Sequence, residues 1–160
     1  MKMRFAFVTA VLAAAFAQLY DVPAQSPSSA DPAIENQIRS VLQSQQDAWN
    51  RGDIDAFMNG YARADSTTFV SGDKVTRGWD TVRNRYHERY SDRAKMGKLT
   101  FSDLEVTALG NEAALVLGSW KLDRAKDQPH GRFTLIFRLT NDGWRIVHDH
   151  TSAAEPAKPR

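Results

Sequence analysis

From Leu99 to Ser152 the chain is four long strand-like runs and the breaks between them. Leu99 to Leu109 turns at Gly110-Asn111, and Ala113 to Leu122 leads into a polar loop, Asp123 to Gly131. Arg132 to Thr140 turns at Asn141-Asp142-Gly143 into a last strand ending near Ser152. Runs of this length with polar turns predict an antiparallel meander. On its third run Phe133, Leu135 and Phe137 alternate with Arg132, Thr134 and Ile136, so the two sets lie on opposite faces of the sheet. One face can be covered by the chain's own helices and the other invites a second copy, so a homodimer is expected. The apolar set needs either such a partner or a cover that the residues upstream could supply.

They have the pattern to do so. Asp31-Pro32 is a helix start, with Asp to cap free N–H groups and Pro at the first helical position. Ile34, Ile38, Val41, Leu42, Gln45, Ala48 and Trp49 follow helical spacing until Gly52 stops the helix. Asp53 caps a second helix whose inward face is Ile54, Phe57, Met58 and Tyr61. Thr67 to Ser71 is strand-like and turns at Gly72-Asp73 towards Lys74-Val75-Thr76. Gly78 precedes a third helix, with Val82, Tyr86 and Tyr90 four residues apart. The expected architecture is a single α+β domain over residues 31–152. Three N-terminal helices pack on a curved antiparallel sheet and leave a hollow lined from both layers.

Residues 1–24 read as a signal peptide. Lys2 and Arg4 precede an apolar run of about a dozen residues. That run is shorter than the roughly 20 residues a membrane span needs. Ala15-Phe16-Ala17 and Val22-Pro23-Ala24 offer small residues for cleavage. The expected location is periplasmic or secreted, with no membrane attachment after cleavage. Residues 25–30 read as a flexible linker and 153–160 as a disordered tail. There is no cysteine, so no disulfide framework is available. The chain has 19 acidic and 21 basic side chains, with Lys2, Arg4 and Asp21 in the leader. The remainder is nearly neutral and has no lysine-rich block, so nothing recommends a nucleic-acid partner. RNRYHERY in the third helix reads as a solvated face with its tyrosines turned inward.

The candidate site centres on GWRIVHDHTS, residues 143 to 152. Strict alternation puts Trp144, Ile146, His148, His150 and Ser152 on one face, and Arg145, Val147, Asp149 and Thr151 on the other. His148 and His150 could serve as a general acid and base. As metal ligands they would need a third partner, and no spacing brings His87 or Glu88 to this strand. Alternatively they hydrogen-bond to neighbours and close the floor of a pocket, with Asp149 pairing with an arginine on the opposite face. Arg132 either leans into the hollow and holds an anion by its fork of donors or stands exposed at a strand end. Tyr61, Trp79, Tyr86 and Trp120 either line a ligand pocket or fill the core. No Ser-His-Asp order, phosphate-binding loop, dinucleotide fingerprint or zinc pattern is present, so neither cofactor nor metal is expected.

WNRGDIDAF followed by Tyr61, then TFVSGDKVTRGW, ALVLGSW and FTLIFRLTNDGWRIVHDHTS, in this order, resembles the nuclear transport factor 2-like superfamily. The closer likeness is to its SnoaL-like and ketosteroid-isomerase-like branch. The final strand is also similar to the association domain of calmodulin-dependent protein kinase II. The resemblance covers residues 34–152 and implies a cone-shaped fold with an open pocket, commonly a homodimer formed through the sheet. The isomerases' oxyanion-hole tyrosine falls at Gln45, and their general-base aspartate falls among Phe69, Val70 and Ser71. None of these can supply the proton transfer that enolisation requires, so steroid isomerase activity is not expected. The expected function is a domain that binds a small amphipathic or anionic molecule or associates with itself. The alternative is an acid–base enzyme of isomerase, cyclase or dehydratase type acting on a small hydrophobic carbonyl compound through His148 and His150.

Overall fold

The computed structural model describes residues 31–155. The expected leader, linker and residues 156–160 of the expected tail lie outside the described residues. Helix α1, Pro32–Arg51, begins where Asp31 accepts the Ala33 N–H at 2.9 Å. It ends where Gly52 takes φ 87°, a left-handed turn that costs glycine little. Helix α2, Ile54–Met58, is capped by Asp53, which accepts from the Ala56 N–H at 2.8 Å. Strands β1, Thr68–Ser71, and β2, Lys74–Arg77, form a hairpin ahead of helix α3, Trp79–Arg89. A short helix α4, Arg93–Met96, adds one element beyond the three helices that periodicity predicts. Four long strands follow: β3, Lys98–Ala108; β4, Ala113–Asp123; β5, His130–Thr140; and β6, Gly143–Thr151.

The six strands form one sheet in the order β2-β1-β6-β5-β4-β3. The meander is antiparallel, as expected, but β1 joins β6 in parallel, with Phe69 opposite Asp149. The sheet is therefore mixed. A parallel partner requires a long connection, and α3 to β5 provide it. Pairing also continues past Ser152, because the Ala154 N–H donates to the His130 carbonyl at 2.8 Å. The first residues expected in the tail are thus tied to β5.

One face of the sheet is the core. Phe133, Leu135 and Phe137 are buried on it with Ala114, Val116, Trp144 and Ile146. Ile38, Leu42 and Trp49 of α1 cover it, together with Phe57 and Met58 of α2. Helix α1 also takes up the backbone of β3. Asn50 accepts from the Leu99 N–H at 2.7 Å and donates to its carbonyl at 3.0 Å. Gln46 accepts from the Phe101 N–H at 2.7 Å, and Arg39 donates to the Leu104 carbonyl at 2.8 Å. Residues four apart on a helix share a face, so Gln46 and Asn50 match N–H groups two apart on the strand. Apolar packing and these polar contacts fix α1 over the sheet and leave space towards β1 and α3.

Candidate functional site

The alternation along β6 does not survive intact. Ile136 pairs with His148, but Phe137 pairs with Ile146, so Val147 is an extra residue with no partner of its own. Such a bulge shifts the following side chains to the other face. Trp144 and Ile146 remain in the core, and Asp149 and Thr151 now follow them inward. His148 and His150 turn outward, where they lie beside Ile136 and Thr134. His150 is exposed, and neither imidazole reaches the interior cavity. The expected face assignment is therefore reversed from residue 148 to residue 151.

The cavity lies between the helices and the core face of the sheet and has a volume of about 120 Å³. Leu42, Trp49, Phe57, Phe69, Phe101 and Phe133 give it largely apolar walls. Trp49, Phe57, Phe69, Tyr86 and Tyr90 pack mostly edge to face, with ring centroids between 4.7 and 6.1 Å apart. Each such pair adds roughly 0.5–1.5 kcal/mol beyond its buried area.

Asp149 is the acidic side chain lining this space, and it is 4% exposed. Its Oδ2 accepts from the Tyr61 hydroxyl at 2.6 Å, and its Oδ1 accepts from the Thr151 hydroxyl at 2.6 Å. The Tyr86 hydroxyl lies 3.4 Å from that of Tyr61. Burial pushes the Asp149 carboxyl above the usual carboxylate range, although both hydroxyl bonds and the charges of His148 and Arg85 pull the other way. Burial raises both phenols too, and the nearby Asp149 charge reinforces this. The tyrosines therefore keep their protons at any working pH. Tyr61 has committed its proton to the carboxylate. Tyr86 is left with an O–H whose contact in the protein is long, so it is the spare donor. The site thus combines a proton acceptor and a hydroxyl donor within an apolar space.

The other predicted residues divide. Tyr61, Tyr86 and Trp120 line the cavity, and the Trp120 indole donates to the Ser152 carbonyl at 3.0 Å. A side chain at Gly131 would collide with that same carbonyl. Trp79 does not line the cavity. Its indole donates to the Met58 carbonyl at 3.0 Å while the Arg63 guanidinium covers its ring. Arg132 is also outside, exposed beside Asp103 at 3.8 Å. The expected pairing of Asp149 with an arginine gives way to Tyr61 and Thr151. Gln45 lines the cavity but donates to the Phe57 carbonyl at 3.0 Å, while Phe69 and Ser71 line it without supplying an acid. Sequence reasoning missed Asp149, Thr151, Arg85 and Arg89 as lining residues. For the first two there was a signal: Ile146-Val147 puts two apolar residues side by side where strict alternation would not. Among the described residues no group of three or more His, Cys, Asp or Glu side chains could hold a metal ion.

Comparison with known proteins agrees with the fold. The profile of the SnoaL-like domain matches residues 38–156. The structure is similar to that of an NTF2-like protein of unknown function from Shewanella oneidensis, at 40% identity and TM-score 0.71. That alignment covers 74% of this chain and 98% of the other. A cystatin-like fold protein from Burkholderia xenovorans is 25% identical at TM-score 0.61, over 79% of this chain and 96% of that one. A ketosteroid isomerase-like protein from Erwinia carotovora shares the fold at 19% identity and TM-score 0.60, over 76% and 96% of the two chains. No curated protein matches. The mixed sheet, the helical cover and the profile match together establish that the chain belongs to the SnoaL-like domain family of the NTF2-like superfamily.

Proposed function

We propose that the cavity binds a small, mainly apolar carbonyl compound, and that Asp149 and Tyr86 act on it by acid–base chemistry. The observation behind this reading is a buried carboxyl lining a largely apolar cavity, held by hydroxyls and, among the described residues, with no cation within ion-pairing distance. Burying such a group opposes folding, and perturbed carboxyls in clefts concentrate at sites that move protons. Tyr86 would donate a hydrogen bond to the carbonyl oxygen, and Asp149 would take a proton from the adjacent carbon. Steroid isomerisation is not part of the proposal, because Gln45, Phe69, Val70 and Ser71 lack the groups that reaction uses.

The second reading is binding without turnover. It is supported by the fact that both Asp149 oxygens are already satisfied by Tyr61 and Thr151, so the network is complete without a substrate. A thermal-shift screen of small hydrophobic carbonyl and hydroxyl compounds, followed by Asp149→Asn, separates the two. Asparagine keeps the size and hydrogen bonding but not the proton acceptor. Turnover reduced by roughly 10²-fold or more with binding retained supports the enzyme. Hits that bind both proteins and turn over in neither support the binder.

Self-association and export belong to the same proposal. Val75, Val70, His150, Thr134 and Leu117 are neighbours in one row across the outer sheet face. Val75 is 49% and Leu117 36% exposed, which suits a second copy meeting this face. Light scattering that detects only monomer across micromolar concentrations would refute the dimer. Export is supported by the charged-then-apolar leader, and N-terminal sequencing of protein from a periplasmic fraction tests it.

A further inference from the structure

Apart from Asp149 and tyrosines, the ionisable side chains lining the cavity are Arg85 and Arg89. They lie four residues apart on α3, so both project from one face of the helix. Arg85 is half-buried and Arg89 is exposed, which sets the pair at the solvent side of the space. The Arg85 guanidinium lies 4.4 Å from the centre of the Phe69 ring, and that of Arg89 lies 6.0 Å from the centre of the Tyr90 ring. Phe69 and Tyr90 are themselves cavity walls. Among the described residues neither arginine makes a side-chain hydrogen bond or ion pair. Their neighbours behave differently. Arg83 is engaged by Asp55 at 2.6 Å, and Arg93 donates to the Trp49 and Asn50 carbonyls at 2.8 and 3.0 Å.

A guanidinium over a ring is attracted to its face, most closely for Arg85 at 4.4 Å, while its planar fork remains able to bind a carboxylate bidentately. Two such forks at one end of an apolar space, with the Asp149 and Tyr86 pair lining it further in, define a ligand with two unlike ends. We propose that the cavity takes an amphipathic monocarboxylate, its carboxylate held by Arg85 and Arg89 and its apolar body resting on the aromatic walls. This rests on the reading of the cavity as a ligand site and names the class of compound. It also moves the anion-holding role from Arg132 to α3.

The test uses ω-phenylalkanoates of three to eight carbons and the matching neutral alcohols. Affinities are measured by calorimetry and by the fluorescence of Trp49 and Trp120, which line the cavity. At least one carboxylate should bind 10-fold or more tightly than its alcohol. Arg85→Gln with Arg89→Gln should bring the two within about threefold by weakening the carboxylate alone, and the double lysine variant should keep part of the preference. Circular dichroism confirms that each variant is folded. Alcohols that bind as tightly as the acids at every length would overturn the anionic end and leave the cavity reading standing. A preference that persists in the double glutamine variant would overturn the assignment to these arginines. Binding of neither series would overturn both.

Discussion

Two aspartates in this domain meet opposite surroundings. Asp149 is buried in the cavity wall, takes its hydrogen bonds from Tyr61 and Thr151, and is held above the ordinary carboxylate range by burial. Asp55 lies at the seam between α2 and α3, where Arg83 and His87 reach the same oxygen at 2.6 and 2.8 Å. The hydrogen bonds from Arg83 and then His87 pull its carboxyl down to about 2. The difference teaches which carboxylate the fold uses to hold itself together. An aspartate ionised more easily than in the unfolded chain favours the native state once pH exceeds the unfolded value. One ionised less easily does the reverse: as pH rises through its native value, the folded state must accept a charge that the unfolded chain carries freely. Asp55 therefore supports folding, and Asp149 opposes it.

The sharpest way to break this contrast is Tyr61→Phe. It removes the O–H that donates to Asp149 and leaves a buried carboxylate short of a partner, at an expected cost of about 1–3 kcal/mol near neutral pH. Denaturant unfolding as a function of pH should show the loss shrinking in acid, where the carboxyl is protonated. A loss that is constant down to pH 3 would mean that the tyrosine acts through packing and not through the charge.

Asp149→Asn tests the other side of the linkage. Asparagine can accept from Thr151 and donate to the Tyr61 oxygen, so the network survives without the charge. The variant should be more stable than wild type by on the order of 1 kcal/mol at pH 7. Its advantage should fall away as pH drops below the native carboxyl value and be gone below the unfolded value of 3.8. A variant less stable at pH 7 than at pH 4, relative to wild type, would contradict the sign.

Asp55→Asn should behave in the opposite sense and more weakly. Its side chain is 57% exposed, so solvent screens the pair and the expected loss is below about 1 kcal/mol. Wild type and variant should converge as pH falls from 3.8 to about 2, and high salt should narrow the gap. The smallest effect is expected for His148→Gln with His150→Gln. Both imidazoles lie on the outer face, so stability should change by no more than about 0.5 kcal/mol, and binding of any cavity ligand should not change. A tenfold loss of affinity in that variant would return the histidines to the site.

The helices and the meander were legible because each carries its own local signal. Asp31-Pro32 and Gly52 bound α1, and the turn at Asn141-Asp142-Gly143 sets β5 against β6. The parallel seam between β1 and β6 was not legible, since a strand of four residues holds no information about a partner some 80 residues away. The candidate site was partly readable. Tyr61, Tyr86 and Trp120, singled out by residue type and spacing, line the cavity. A period-two rule puts Asp149 on the wrong face because it assumes an uninterrupted ladder, and one unpaired residue, Val147, reverses residues 148 to 151. Arg85 and Arg89 were hidden for a different reason. A basic residue on an amphipathic helix looks solvated whether water or a ring lies beneath it.

The contacts between α1 and β3 have a consequence beyond anchoring the helix. β3 ends the sheet on one side, and Asn50 and Gln46 occupy the backbone groups of Leu99 and Phe101 that an incoming strand would use. At the opposite margin β2 is only four residues long and ends in Arg77 after starting with Lys74. A foreign peptide seeking to extend the sheet would have to displace α1 amides on one side and finds too short a template on the other. Both edges of the sheet are thereby poor templates for strand exchange and fibre growth.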